Sequence, residues 1–118
     1  MIPNYADCGY WPRLRQIYRA EFLVIDAKNS AKEIEKDDIL QVAHYLKKKG
    51  PGLFALIFSR CGMAESAEKH LQDIWINEDK MIIVLNDSDV EQMLLTKQAG
   101  GDPCRLIIDK IQEFRLKI

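Results

Sequence analysis

Three short apolar runs, separated by longer stretches of helical pattern, constrain the fold of this chain most. The runs cover residues 22–27, 53–59 and 81–85. Amphipathic stretches that begin near Asp37 and Ala64 connect them, and two more follow the third run. Strands that alternate with helices are joined by right-handed crossovers, which make neighbouring strands parallel. The pattern therefore predicts an α/β domain in which helices cover a central sheet.

Local signals predict where the individual helices and strands lie. A first helix is predicted within residues 10–19, with Pro12 in its first turn. The run 22–27 is apolar on both faces, which predicts a strand in a central, covered position. The next helix is predicted to begin at the cap Asp37, to turn Ile39, Leu40, Ala43 and Leu46 inward, and to end at residues 47–50. Asp87 or Ser88 is predicted to cap a helix that runs to residue 99, and a last helix is predicted over 103–116.

Length, charge and cysteine content bound the class of protein. The chain has 118 residues with 47% hydrophobic and 30% charged residues, which predicts one globular domain spanning 1–118. Its net charge of −1 and pI near 6.1 carry no global signature of a nucleic-acid binder, although a local basic site is compatible with them. Three scattered cysteines match neither a zinc site nor a disulfide framework. Apolar runs too short to cross a bilayer and no secretory pattern predict a cytoplasmic protein without membrane contact.

The tripeptide Asp26-Ala27-Lys28 ends the first apolar run. Side chains alternate along a strand, so the carboxylate of Asp26 and the ammonium of Lys28 emerge on the same face of the sheet. A carboxylate that binds a divalent cation, beside a lysine that assists water, is a minimal arrangement for phosphodiester cleavage. The same pair is also common at the solvated rim of a sheet. The residues that follow must decide between the two interpretations.

The helix after this strand carries Gln41 and Tyr45, four positions apart and hence on one face. Gln41 is predicted to point toward Lys28 in one interpretation, and to lie at the exposed helix edge in the other. Lys47, Lys48 and Lys49 at the end of the same helix also admit two interpretations. They form either a patch that contacts phosphate or a helix end with solvated lysines, and the second is favoured.

Order and spacing together resemble those of a known superfamily. An apolar strand ending in Asp26-Ala27-Lys28-Asn29, a helix with Gln41-x-x-x-Tyr45 and a strand ending in Ser59-Arg60 are similar to the PD-(D/E)xK nucleases. The resemblance covers nearly the whole chain and is greatest to bacterial domains of the Mrr and RecB-like kinds. It implies a restriction-endonuclease-like fold with a central mixed sheet.

The resemblance also implies an activity and roles for individual residues. The activity would be Mg²⁺-dependent cleavage of DNA, with Mn²⁺ as a substitute. Asp26 and the carbonyl of Ala27 would bind the metal, Lys28 would be the catalytic lysine, and Gln41 would support the site. Tyr45 matches the family tyrosine, and Arg60 is a candidate phosphate contact.

One family element has no clear counterpart. The superfamily has an earlier aspartate on the strand that pairs with the Asp-x-Lys strand, and here Ile2-Pro3-Asn4 matches only the far end of that strand. Three explanations remain open: Asp7 substitutes as a metal ligand, the family's N-terminal strand and helix are missing, or the domain is an inactive remnant. The second is favoured, and it predicts an uncovered sheet edge that a homodimer would bury.

The sequence thus predicts a metal-dependent DNA endonuclease-type domain of reduced or absent activity. The alternative is a non-catalytic nuclease-fold module that binds DNA or protein as a dimer. A flavodoxin-like or receiver-like domain fits less well, because no phosphate loop or acid cluster follows a first strand.

Overall fold

The computed structural model describes residues 2–6, 9–28 and 32–118, which form an α/β domain. Its elements follow in chain order: β1 Ile2–Pro3, α1 Trp11–Tyr18, β2 Phe22–Lys28, α2 Lys36–Tyr45, β3 Phe54–Ser59, α3 Glu65–Glu78, β4 Met81–Leu85, α4 Asp87–Gln98 and α5 Cys104–Leu116. The strands lie in one sheet in the order β1-β2-β3-β4. The predicted α/β class with a mixed sheet flanked by helices is confirmed.

The sheet is parallel except at β1. Val24 to Lys28 pair in parallel with Ala55 to Ser59, and β3 pairs in the same way with β4. β1 pairs antiparallel with β2 through two residues, Ile2 opposite Leu23 and Pro3 opposite Phe22. Helical crossovers place β2, β3 and β4 side by side in chain order, as the alternation of strands and helices predicts.

Two apolar clusters cover the two faces of the sheet. On one face, α1 and α5 pack on the sheet through Leu14, Tyr18, Ile107 and Ile111. On the other face, α2 and α3 contribute the buried side chains Ile39, Val42, Ala43, Ala67, Leu71 and Ile74. β3 is buried along almost its whole length, because it lies between two strands and between two helical layers.

The prediction that β2 is covered on both faces is wrong for its carboxyl half. Ile25 is 38% exposed, and Ala27 is also exposed. β1 reaches only Phe22 and Leu23, so residues 24–28 have no strand partner on that side within the described ranges. We call residues 24–28 the open edge of β2.

Two predicted helix starts are also wrong. α2 begins after Glu35, whose backbone N–H donates to the Asp38 carboxylate at 3.0 Å, rather than at Asp37. α4 is capped by Asn86, whose side chain accepts a hydrogen bond from the backbone N–H of Asp89 at 2.8 Å. In both cases a reciprocal pair three residues apart satisfies the free N–H groups of the first turn.

The inward face of α2 and its end also differ from the prediction. Leu40 is 43% exposed, and Val42 is buried in its place. The helix ends at Tyr45, so residues 47–50 form a separate turn after the helix. Across the described ranges, none of the helices is long and apolar enough to span a membrane.

Candidate functional site

The carboxyl ends of the three parallel strands meet at one edge of the sheet. The pairing register sets Lys28 beside Ser59 and Ala27 beside Phe58, which in turn lies beside Leu85. The loops after β3 and β4 lead from this edge into α3 and α4. Ligand sites of open α/β sheets lie at this edge, because the loops diverge there and leave a crevice.

Asp26 and Lys28 form an ion pair at the end of β2. The Lys28 Nζ lies 3.0 Å from the Asp26 carboxylate, and the two side chains are 25% and 34% exposed. They alternate in phase with Val24, which packs against the cluster beneath α2 and α3. The predicted placement of both charges on one face is therefore confirmed, and each charge neutralises the other.

A cavity of about 200 Å³, which we call the carboxyl-end cavity, opens beside Lys28. Its polar lining comes from all three strand ends: Lys28, Ser59, Arg60, Asn86 and Asp87. Phe58, Leu85 and Val90 supply apolar walls. The cavity thus combines apolar residues with two cationic residues in its lining.

The polar residues of this cavity differ in how firmly their present partners hold them. The buried Ser59 hydroxyl donates to the carbonyl of Gly62 at 3.0 Å, which holds the loop after β3. Arg60 pairs with Asp87 at 3.2 Å, but their side chains are 68% and 63% exposed. An ion pair so exposed contributes only about 0–1 kcal/mol, because water screens it. Arg60 can therefore leave Asp87 for an incoming anion at little cost.

The donor set around Asp26 does not fit a resident Mg²⁺ ion. Magnesium prefers six oxygen ligands, of which proteins usually supply one or two carboxylates while water and substrate phosphates supply the others. Within the described ranges no three His, Cys, Asp or Glu side chains come together in a way that could bind a metal. Asp26 is the single carboxylate predicted as a metal ligand at the end of β2, beside the carbonyl of Ala27, and this carboxylate forms an ion pair with Lys28. Asp7, the predicted substitute ligand, lies outside the described residues.

The structure does not bring all the predicted site residues together. Lys28 and Arg60 line one cavity, as the position of both residues at strand ends implies. Gln41 is exposed on α2 and forms no hydrogen bond with Lys28 or any other described residue. Tyr45 is 60% exposed. Gln41 thus follows the alternative in which it lies at the exposed helix edge, whereas Tyr45, which that alternative places half in the core, is exposed.

Asn86 and Asp87 belong to this site although the sequence analysis considered Asp87 only as a helix cap. Both follow β4 directly, so the rule that led to Arg60 after β3 applies equally to them. Their position directly after a parallel strand is the signal in the sequence that indicates them.

Comparison with known proteins identifies no relative of this chain. No protein-family model matches the chain, and no curated protein or solved structure is significantly similar to it.

Proposed function

We propose that the carboxyl-end cavity binds the phosphodiester backbone of DNA through Lys28 and Arg60. The observation that carries this proposal is that both cations line one 200 Å³ cavity at the strand ends. Each is paired with a carboxylate in a half-buried or exposed ion pair. A phosphate oxygen can replace those carboxylates, since guanidinium and ammonium groups bind phosphate strongly. In this proposal the sheet is the core of a restriction-endonuclease-like domain that acts as a binding module.

Binding to fluorescein-labelled duplex DNA tests this function. Replacement of Lys28 and Arg60 by alanine removes two phosphate contacts. The plot of log K against log salt should become less steep by about 2, and affinity at low salt should drop about tenfold. Lys69→Ala combined with Lys97→Ala is the matched control, because it removes the same two charges from exposed positions that do not line the cavity. Equal affinity of the double variant and the control would exclude the cavity as a DNA site.

Hydrolysis of the bound phosphodiester is the second candidate function. The observation that favours it is the 3.0 Å separation of the Asp26 carboxylate from the Lys28 ammonium at a strand end. It requires acidic ligands beyond those that the described residues assemble. Plasmid nicking with Mg²⁺ or Mn²⁺ should then be lost in Lys28→Ala. The same low nicking rate in wild type and variant would leave binding as the function.

We further propose that the protein works as a homodimer. Leu94 and Leu95, on the outer face of α4, are 64% and 57% exposed. Together they form an exposed apolar patch, and burial against a second copy would remove it from water. This proposed dimer surface on α4 differs from the uncovered sheet edge at which the sequence predicts the dimer, and it leaves the open edge of β2 accessible.

A further inference from the structure

A basic groove lies at the amino end of β2, opposite the end that carries Asp26 and Lys28. It encloses about 520 Å³. Its charged lining comes from the end of α1, the start of β2 and the turn after α2: Arg15, Arg19, Glu21, Lys48 and Lys49. We call this surface the basic groove. Chain segments far apart in sequence build it, so periodicity alone does not reveal it.

Close backbone packing holds the two walls of the basic groove together. Gly52 has a φ of 105°, and a Cβ built there would lie 2.1 Å from the carbonyl oxygen of Arg19. Its N–H donates to the carbonyl of Lys47 at 3.0 Å. This bond closes the turn that contains Lys47, Lys48 and Lys49, which we call the lysine turn. The next residue, Leu53, donates its N–H to the carbonyl of Tyr18 at 2.8 Å. The lysine turn therefore stands in a fixed position beside the end of α1.

The cations of the groove lack acidic partners. None of Arg15, Arg19, Lys48 and Lys49 forms an ion pair with a carboxylate of the described ranges, and Glu21 is the single acid of the lining. Four cations and one acid leave a local charge of +3 on a chain whose net charge is −1. Like charges held together repel one another, and a bound polyanion would relieve that repulsion.

The anchoring of Arg15 keeps its charge directed at the groove. Its guanidinium donates to the carbonyl of Asn4 at 2.8 Å. The buried side-chain amide of Asn4 in turn donates to the carbonyls of Trp11 and Ala20 at 2.9 and 3.0 Å. A carbonyl partner orients the guanidinium without neutralising it, so its other N–H groups can bind a phosphate.

We propose that the basic groove is a second docking site for the backbone of duplex DNA, an inference that rests on the proposed function. Glu21 and Lys28 are seven residues apart on β2, or about 23 Å at strand rise. This distance corresponds to about seven base pairs of duplex. A duplex that lies along the open edge of β2 contacts the basic groove at one end and Lys28 and Arg60 at the other.

The two separated cationic sites favour DNA over an acidic peptide. A duplex is stiff and carries phosphates along its whole length, so it reaches both sites without an ordering cost. A flexible acidic peptide would lose conformational entropy on binding the same span. Docking of a peptide at the groove alone is the competing outcome of the experiment below.

The experiment compares short and long DNA. The groove variant carries Arg19→Gln, Lys48→Gln and Lys49→Gln. The control carries Lys36→Gln, Lys69→Gln and Lys97→Gln, which remove the same charge from exposed positions outside both sites. Circular dichroism and thermal unfolding first establish that both variants fold. Binding is then measured for a six-base-pair hairpin and a sixteen-base-pair duplex over a range of salt concentrations.

We expect wild type and control to bind the long duplex at least tenfold more tightly than the hairpin, because two sites act together. The groove variant should lose this preference for the long duplex. Its plot of log K against log salt for the long duplex should be less steep than that of the control by about 2 to 3. Equal loss in the groove variant and the control would overturn the inference. It would also be overturned if poly-glutamate binding, but not DNA binding, were lost in the groove variant.

The Lys28 and Arg60 double variant separates the two proposals. If that variant binds both DNA lengths like wild type while the groove variant loses affinity, the groove binds DNA and the carboxyl-end proposal fails. If the double variant loses affinity and the groove variant matches its control, the carboxyl-end proposal holds and the groove inference fails.

Discussion

Individual buried side chains of this protein differ in whether their polar atoms have partners. The amide of Asn4 is buried and makes two hydrogen bonds. Tyr18 is 1% exposed, and among the described residues its hydroxyl forms no hydrogen bond of good geometry, although the Arg115 guanidinium lies close enough to interact with it. Its ring lies 5.9 Å from that of Phe54 and 5.8 Å from that of Trp75. The ring of Tyr18 thus stabilises the core, while its hydroxyl opposes burial.

Tyr18→Phe is therefore expected to stabilise the protein by about 1 kcal/mol, because it removes a buried hydroxyl that forms no hydrogen bond of good geometry among the described residues. Burial also raises the pKa of Tyr18, against the opposing effect of Arg115. The unfolded chain then ionises first as pH rises above 10, so wild type should lose stability there and the variant should lose less. Urea unfolding at neutral and alkaline pH measures both effects.

Tyr45→Phe is the control for this prediction, because Tyr45 is 60% exposed. Its free energy of unfolding should change by less than about 0.5 kcal/mol. Destabilisation by Tyr18→Phe would mean that the hydroxyl has a partner in solution.

The starts of the helices and strands show which element boundaries local sequence signals predict correctly. β4 lies at 81–85 as predicted, and α3 and α5 begin within one residue of their predicted starts. α2 and α4 begin at Glu35 and Asn86 caps that the sequence analysis missed. At the start of α4, Asn86, Asp87 and Ser88 are all preferred cap residues, whereas glutamate is not, so propensity favours Asp37 over Glu35 at the start of α2. The reciprocal bonds across the first turn decide among them.

The turn after α2 is the element whose position depends most on a single residue. Gly52→Ala should cost about 3 kcal/mol or more, because the new Cβ would meet the Arg19 carbonyl at 2.1 Å in a positive-φ conformation. Gly100→Ala is the matched control. It has a φ of 84° but nothing within 4 Å of the new Cβ, so about 1 kcal/mol is expected.

Chemical denaturation of both glycine variants gives the comparison. Equal losses would show that the lysine turn and the end of α1 do not approach as closely as the structure indicates. The Gly52 variant should also weaken DNA binding at the basic groove, since the two walls would separate.

On the scale of the whole molecule, the sheet is protected unevenly. Helices cover both faces of β3 and β4, whereas the open edge of β2 and the outer face of α4 remain exposed. β2 joins the carboxyl-end cavity to the basic groove. The two cationic sites thus lie at the two ends of β2, and the exposed leucines Leu94 and Leu95 form a separate apolar patch on α4.

The homodimer is predicted to form through that apolar patch. Leu94→Gln combined with Leu95→Gln should shift the protein from dimer to monomer, because the substitutions remove the apolar surface that association would bury. Light scattering coupled to gel filtration at high protein concentration measures the change. A wild-type protein that elutes as a clean monomer there would refute the dimer.

Regular patterns in the sequence determined the α/β class, three parallel strands and the placement of Asp26 and Lys28 on one face. These features follow from the two-residue period of a strand and the handedness of its crossovers, which are local properties. Long-range packing alone decided the exposed position of Gln41, the pairing of Arg60 with Asp87 and the assembly of the basic groove. Lysines 47–49 resemble a solvated helix end in the sequence. Only tertiary contact with α1 sets two of them beside Arg15 and Arg19, because residues far apart along the chain become neighbours when the backbone at Gly52 meets Arg19.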